Sequence, residues 1–541
     1  MAKNTHEEPI CVVAVVQPAV RLEPDKHTRL PPLRRRLVRR WIADGYTRDS
    51  SQESAEHNGE VLFSDLHERS IIHQPPQKIA TATLDGPRMA ICQVNGFIHE
   101  YIVARRMDEN LFELEGNSAL TTQRTGRHLV IFGNWNRDRI VFKSIDFSRL
   151  RSLTVFGKWE PFFISKGMKI LRVLDLEDAR GMKDADLEKM VNLLPRLKFL
   201  SLRGCREICH LPSSLGDLRQ LQTLDVRGTS IVTLPENITL LQKLQYIRAG
   251  SGTKEKTSSM LNFTASAPPV SSCWLPELCK RRQLVGVVVP GGIGKLTALH
   301  TLGVVNVAAS GGEAILEELK KLTQLRKLGV SGINKKNSNE FFSAIKEHVH
   351  LESLSVQLNK DSQVCLDGIP LPLENLQSLK LYGLVNVQLQ GRRDGLRKLH
   401  LEMATIMEDD IEFLGKLPLL CVLRVKQIQD GELHFHVVVD GQEEDSFGSV
   451  NVLQIACGCS SSSLHVTFGS KTMKELELLK VDCHGGSPPY LFSGIENLVQ
   501  LKQILLVKCS NTEALKGQLE SQLAEHPNKP VVKLEEPPRS S

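Results

Sequence analysis

Three observations predict an α/β fold: a leucine-rich-repeat solenoid, its parallel strands forming a horseshoe sheet, preceded by a small winged-helix domain. A motif of apolar residues recurs at intervals of roughly 20–29 residues through most of the chain. Each copy opens with the apolar alternation of a short strand. Ahead of the first copy stand two amphipathic helical stretches and a hairpin pattern.

The motif is clearest between Leu197 and Gly250. Leu197, Leu200 and Leu202 are followed by Cys205, Leu211 and Pro212, and Leu221, Leu224 and Val226 by Thr229, Leu234 and Pro235. Leu244 and Ile247 begin a third copy that breaks off. The alternating positions make a strand, the later leucines fill the return leg, and no copy can bury its apolar face without neighbours. Anchoring each copy on its first apolar residue gives about fourteen, from Leu150, Leu171 and Leu197 to Leu476 and Leu501. Phe112 to Arg149 then reads as the join before the first layer.

One step, from Leu244 to Leu299, is 55 residues long and marks an interruption near 251–289. Its KEKTSS run and Pro268-Pro269 pair favour a loop or a degenerate layer. The expected organisation is a weakly ordered segment over 1–30, a winged-helix-like domain over 31–115 and a repeat domain over 116–523. A disordered tail over 524–541 completes it.

Composition narrows the function. The chain is 41% hydrophobic, enough for a folded core, and only 5% aromatic, as suits narrow layers filled by Leu, Val and Ile. A net charge of +6 over this length does not argue for a nucleic-acid partner. The twelve cysteines are mostly scattered in apolar contexts, and only Cys457 and Cys459 stand close together, without zinc-finger spacing. Buried reduced thiols and a cytoplasmic location are expected. The apolar run Ile10–Val16 is too short to cross a bilayer, so no membrane partner is expected. No nucleophile or histidine cluster stands in a catalytic setting, so no enzyme activity, metal or cofactor is expected.

In the N-terminal region, Leu33, Leu37, Trp41 and Ile42 recur at helical spacing within an arginine-rich stretch, whose charges read as a solvated face. Ser50-Ser51-Gln52-Glu53 offers a capping box for a second helix bearing Ala55, Gly59, Leu62 and Leu66 on one face. Thr81–Leu84 and Met89–Val94 read as a hairpin wing.

Here the text LVRRWIADGY, followed by LFSDLHERSII, resembles the winged-helix subdomain of plant nucleotide-binding leucine-rich-repeat immune receptors, particularly the coiled-coil class of cereals. The resemblance spans about residues 30–520. In that family the subdomain ends in a Met-His-Asp motif whose histidine touches the nucleotide phosphate. Asn95 and Gly96 stand at the matching place, so the resemblance implies a lost or weakened contact. The nucleotide-binding core expected before residue 30 is not in this sequence, so ADP or ATP binding is not carried over. Gly291-Gly292-Ile293-Gly294-Lys295-Leu296-Thr297 looks like a phosphate loop but has Val289 at the first glycine position and Leu296 after the lysine. It aligns instead with a repeat's return leg.

Residues alternate with the inward leucines along each strand, so Arg203, Arg227 and Arg248 are expected in register on the concave face, with Lys380, Arg424 and Lys426 further on. Asp175, Glu177 and Asp225 interrupt this basic run. The expected function is protein recognition in plant disease resistance, the partner being a pathogen effector, a guarded host protein or another receptor. Alternatives are a leucine-rich-repeat substrate receptor of a ubiquitin ligase and a truncated, inactive receptor product.

Overall fold

A computed structural model describes residues 34–50, 53–73, 92–95, 97, 111–114, 126–133, 139–252, 284–309, 311–358, 375–384, 395–403, 405–427, 431–439, 441–457, 464–482, 490–507 and 512–535. The chain forms two compact units, residues 1–250 with 286–328 and residues 251–285 with 329–541.

The first unit begins with two helices, α1 (Arg34–Asp44) and α2 (Ala55–Glu68). Leu37, Val38 and Trp41 of α1 pack with Phe63 and Leu66 of α2, and Ile72 and Cys92 complete this small core. The helices approach closely at Gly59, where a Cβ would lie 2.5 Å from Val38 Cγ1. The N-cap of α2 is Ser54, whose hydroxyl accepts from the His57 amide at 3.2 Å. Ser50 instead accepts from Glu53 N at 3.0 Å in a turn one step upstream, so the expected cap is displaced by four residues. Two short strands follow, β1 (Ile72–His73) and β2 (Gln93–Val94), paired antiparallel. The strand meeting Gln93–Val94 thus comes from the end of the second helical segment; Thr81–Leu84 lie outside the described residues.

The repeats of this unit contribute a parallel ladder: β3 (Leu111–Leu114), β4 (His128–Gly133), β5 (Ser152–Gly157), β6 (Val173–Asp175), β7 (Phe199–Ser201), β8 (Thr223–Asp225), β9 (Tyr246–Arg248) and β10 (Thr301–Asn306). Leu129, Leu153, Leu174, Leu200, Leu224, Ile247 and Leu302 share one register row and are buried. Each such side chain contributes about 1.5–3 kcal/mol of burial. Strand exits are fixed by short polar contacts: Cys205 Sγ donates to Leu176 O at 3.0 Å and Thr229 Oγ1 to Val226 O at 2.7 Å. The adjoining Gly204 and Gly228 take φ of +78° and +71°, a turn conformation that side chains resist. Burial pushes the Cys205 thiol up to about 12, as a packed, protonated thiol requires.

Two expectations are corrected at the ends of the array. The segment expected to be a join holds β4, and β3 falls within the range expected for the winged helix; both pair in the repeat ladder. The expected disordered tail holds a strand over Val531–Glu535. Isolated short strands are unreadable in sequence because their partners, not their own patterns, stabilise them.

In the second unit, β11 (Lys327–Ile333) stands beside β12 (Ser353–Leu358). The ladder continues through β13 (Ser378–Leu384), β14 (Lys398–Met403), β15 (Val422–Gln427), β16 (Val452–Cys457), β17 (Leu478–Asp482), β18 (Gln503–Val507) and β19 (Val531–Glu535), all parallel. Leu354, Leu379, Leu399, Leu423, Leu453, Leu479, Ile504 and Val532 form its buried row. Gly431–Phe435, Leu464–Phe468 and Tyr490–Ser493 add a second small parallel sheet. The Leu244–Leu299 interval is framed by Ser251–Gly252 paired antiparallel with Leu284–Val285, and residues 253–283 lie outside the described set.

Candidate interaction faces of the repeat ladders

Residues that alternate with the buried leucines on β5 to β9 would meet water on a bare solenoid. Here Ser152, Val173, Phe199, Thr223 and Tyr246 are each no more than 3% exposed. The cover includes α1. Ala43 packs on Val173 and Phe199, and Arg36, Arg39 and Arg40 are buried. Arg40 donates to Asp175 Oδ2 at 3.1 Å and to Thr154 Oγ1 at 2.9 Å. Arg36 pairs with both Asp175 and Glu177. The expected solvated face of this helix is therefore corrected in part: Arg36 and Arg40 are ion-paired against the repeats and Arg39 is buried, while Arg35 is exposed. A charged helix face can be covered when the opposing sheet supplies the counter-charge.

Around this contact, Glu56 of α2 lies 3.8 Å from Arg326 and 4.0 Å from His300. Arg172 donates to the Asp44 carbonyl at 2.8 Å. The Asp44 side chain is buried, and neither carboxyl oxygen finds a hydrogen-bond partner among the described residues. Burial pushes its pKa up to about 7, against the opposing pull of Arg40 and Arg172. His128, 2.8 Å from Tyr46 Oη, is pushed down to about 3 by burial and stays neutral.

The three arginines expected in one row divide between two. Ser201, Asp225 and Arg248 are register partners, whereas Arg203 and Arg227 lie two residues beyond Ser201 and Asp225. Arg248 stands where the neighbouring copy has Asp225, since it follows Ile247 as Asp225 follows Leu224. Each arginine meets an acid from the same sheet. Arg203 pairs with Glu177 at 2.6 Å, Arg227 with Asp225 at 2.6 Å, and Arg248 lies 3.6 Å from Asp225. Burial alone would push the Asp225 carboxyl up; hydrogen bonds from Arg227, with the charges of Arg248 and Arg36, reverse this and hold it at about 2.

In the second unit Ser355, Lys380, His400, Arg424, Gln454 and Lys480 form one continuous register row. Lys380 and Arg424 are half-buried, and Tyr382 packs edge-on against His400 at 4.9 Å. Lys426 belongs to the next row, opposite Glu402, with its ammonium 3.4 Å from that carboxylate.

Asn95 is held by its own neighbourhood. Its amide donates to Ile71 O at 2.9 Å and its side-chain oxygen accepts from Phe97 N at 3.0 Å; Gly96 lies outside the described residues. At the phosphate-loop look-alike, the Gly294 amide donates to Glu318 Oε2 at 2.9 Å. A carboxylate thus occupies the donor that a phosphate would need, and the segment is the return leg before β10. The residues that sequence reasoning did not place were Arg36 and Arg40. The signal available was the acidic trio Asp175, Glu177 and Asp225, which marks where a basic helix can settle.

Among the described residues no helix is long and apolar enough to cross a membrane. A family profile described as "Leucine-rich repeat region" matches residues 149–265 and 266–532. The rice (Oryza sativa subsp. japonica) disease resistance protein Pik-2 is 27% identical over 536 residues, covering 92% of this chain and 50% of its own length. Disease resistance protein RGA4 of the same plant is 25% identical over 518 residues, covering 93% and 46%. A solved leucine-rich-repeat protein of Leptospira interrogans aligns with a TM-score of 0.39 and 18% identity, over 71% of this chain and 90% of its own. The chain spans about half the length of the curated plant relatives it matches. It belongs to the leucine-rich-repeat family and is a homologue of plant nucleotide-binding leucine-rich-repeat disease resistance proteins.

Proposed function

We propose that this chain is a protein-recognition module of a plant disease resistance protein, binding a pathogen effector, a guarded host protein or another immune receptor. In this reading the segment from residue 31 to the start of the ladder is a winged-helix domain, represented by α1, α2 and the β1–β2 pair. The observation that carries the recognition reading is the row Lys380–His400–Arg424, three basic or titratable side chains aligned on successive strands and accessible in part. Such a row favours an acidic protein surface, and Lys426 adds charge beside it. Arg203, Arg227 and Arg248 each meet Glu177 or Asp225 beside the docked helix.

The test is co-immunoprecipitation of the tagged chain from infected and uninfected leaf tissue, beside a Lys380→Glu/Arg424→Glu variant with an unchanged circular dichroism spectrum. A defined protein recovered by the wild type and lost by the variant is expected. Identical recoveries would refute the assignment of the face.

A further inference from the structure

We propose that Arg127, Arg151, Arg172 and Lys198 form a docking line for an acidic segment of another protein. This inference does not rest on partner recognition at Lys380 and Arg424.

The line is set by the ladder of the first unit. Each of the four residues stands immediately before its strand, and each backbone amide donates to the carbonyl of the one before. Arg151 donates to Arg127 at 2.7 Å, Arg172 to Arg151 at 2.7 Å and Lys198 to Arg172 at 2.8 Å. Neighbouring strands lie about 4.8 Å apart, so the four cations are strung over about 14 Å. All four are half-buried, and Arg48 and Lys243 are exposed beside them. Arg48 comes to the line at Gly45, where a Cβ would lie 3.0 Å from Arg172 and 3.7 Å from Arg48. The charges act on one another: after burial, Arg127 and Arg172 hold the Arg151 guanidinium down, and Arg172, Lys243 and Arg48 do the same to the Lys198 ammonium.

Counter-charge is scarce along this line. None of the four makes an ion pair among the described residues. Asp175, Glu177 and Asp225 pair instead with Arg36, Arg40, Arg203 and Arg227. Asp44 is the carboxylate that acts on Arg151, Arg172 and Lys198, and burial pushes its own pKa up to about 7, so it carries only part of a charge at neutral pH. Carboxylates of a partner would complement such a line.

The continuation of the line selects a peptide. The Gln222 amide donates to Lys198 O at 2.8 Å and the Gln245 amide to Gln222 O at 2.9 Å, which places two side-chain amides, each both donor and acceptor, next along it. Gln222 Oε1 has no hydrogen-bond donor among the described residues. An extended acidic chain brings N–H groups for that oxygen as well as carboxylates for the cations, whereas a nucleic-acid backbone or a polyphosphate brings acceptors alone. About four extended residues span the cations.

The probe is a fluorescein-labelled octaglutamate peptide, titrated into the whole chain and followed by anisotropy. Binding that weakens with added salt is expected. Arg151→Gln/Lys198→Gln should weaken it by about tenfold. Neither side chain makes a hydrogen bond or ion pair among the described residues, so this variant should keep the fold, checked by circular dichroism. Arg127→Gln provides a second, independent loss. Lys335→Gln/Lys336→Gln removes the same net charge from exposed positions of the second unit and should bind as the wild type does. No octaglutamate binding, or equal affinity in the wild type and Arg151→Gln/Lys198→Gln, would overturn the line. So would an equal loss in Lys335→Gln/Lys336→Gln, which would mean that only net charge is read. Tighter binding of oligo-dT or of tripolyphosphate than of octaglutamate would overturn it as well, by assigning the line to phosphate groups.

Discussion

Arg40 and Asp175 lie 135 residues apart in the chain, and the guanidinium of one donates to the carboxylate of the other at 3.1 Å. Both are buried, and Arg36 shares the same acid. This pair joins the N-terminal helix to the repeat ladder of the first unit, where a bare solenoid would present a polar face to solvent. The first repeats thus hold part of their own chain.

Asp44 gives a pH signature. Its carboxyl is pushed from 3.8 up to about 7 by burial, so ionisation is disfavoured in the folded state. The sign follows: its favourable contribution is complete below about pH 4 and is lost as pH rises through about 7. Asp44→Asn should therefore raise stability at pH 8 by on the order of 2–4 kcal/mol and leave it nearly unchanged at about pH 4. Urea unfolding at the two pH values, taken as the difference from wild type, checks this; His128 contributes equally to both proteins. A difference independent of pH would contradict it.

Gly59 is where α1 and α2 come closest. Gly59→Val places its Cβ 2.5 Å from Val38 Cγ1, a contact that the Val38 side chain or the helices must shift to relieve. A loss of about 1–3 kcal/mol is expected, read as a lower Tm, and Gly59→Val combined with Val38→Ala should recover part of it. An unchanged Tm in the single variant would mean the helices do not meet there.

Thr229 tests the layer turn. Its hydroxyl donates to Val226 O at 2.7 Å inside a buried layer. Thr229→Val keeps the shape, removes the donor and should cost about 1–3 kcal/mol by leaving a buried carbonyl unpaired. Thr229→Ser, which keeps the hydroxyl, should cost less. Equal losses would assign the effect to packing alone.

These elements divide by how local their cause is. Leu200, Leu224 and Ile247 could be placed inside a ladder from sequence because spacing alone sets which side of a strand they occupy. Cys205 was legible for the same reason, at its fixed place in the repeat motif. Arg36 and Arg40 were not, because what buries them is Asp175 and Glu177, brought near only by folding. Strand alternation alone puts Arg248 in one row with Arg203 and Arg227, which its register contradicts. Aligning Leu244 and Ile247 with Leu221 and Leu224 puts Arg248 opposite Asp225, as its pairing has it. Val531–Glu535 was hidden between prolines, where only the neighbouring strand makes it a strand.

The central claim is that α1 is seated on the first repeats by its arginines, and a double-mutant cycle on Arg40→Ala and Asp175→Ala tests it most directly. Unfolding free energies should show a coupling above about 1 kcal/mol, with Asp175→Ala costing about 3 kcal/mol because it takes the ion partner from buried Arg40, and Arg40→Ala less because Arg36 still pairs with Asp175. Additivity within about 0.5 kcal/mol would mean that the two side chains do not meet, and would contradict the account.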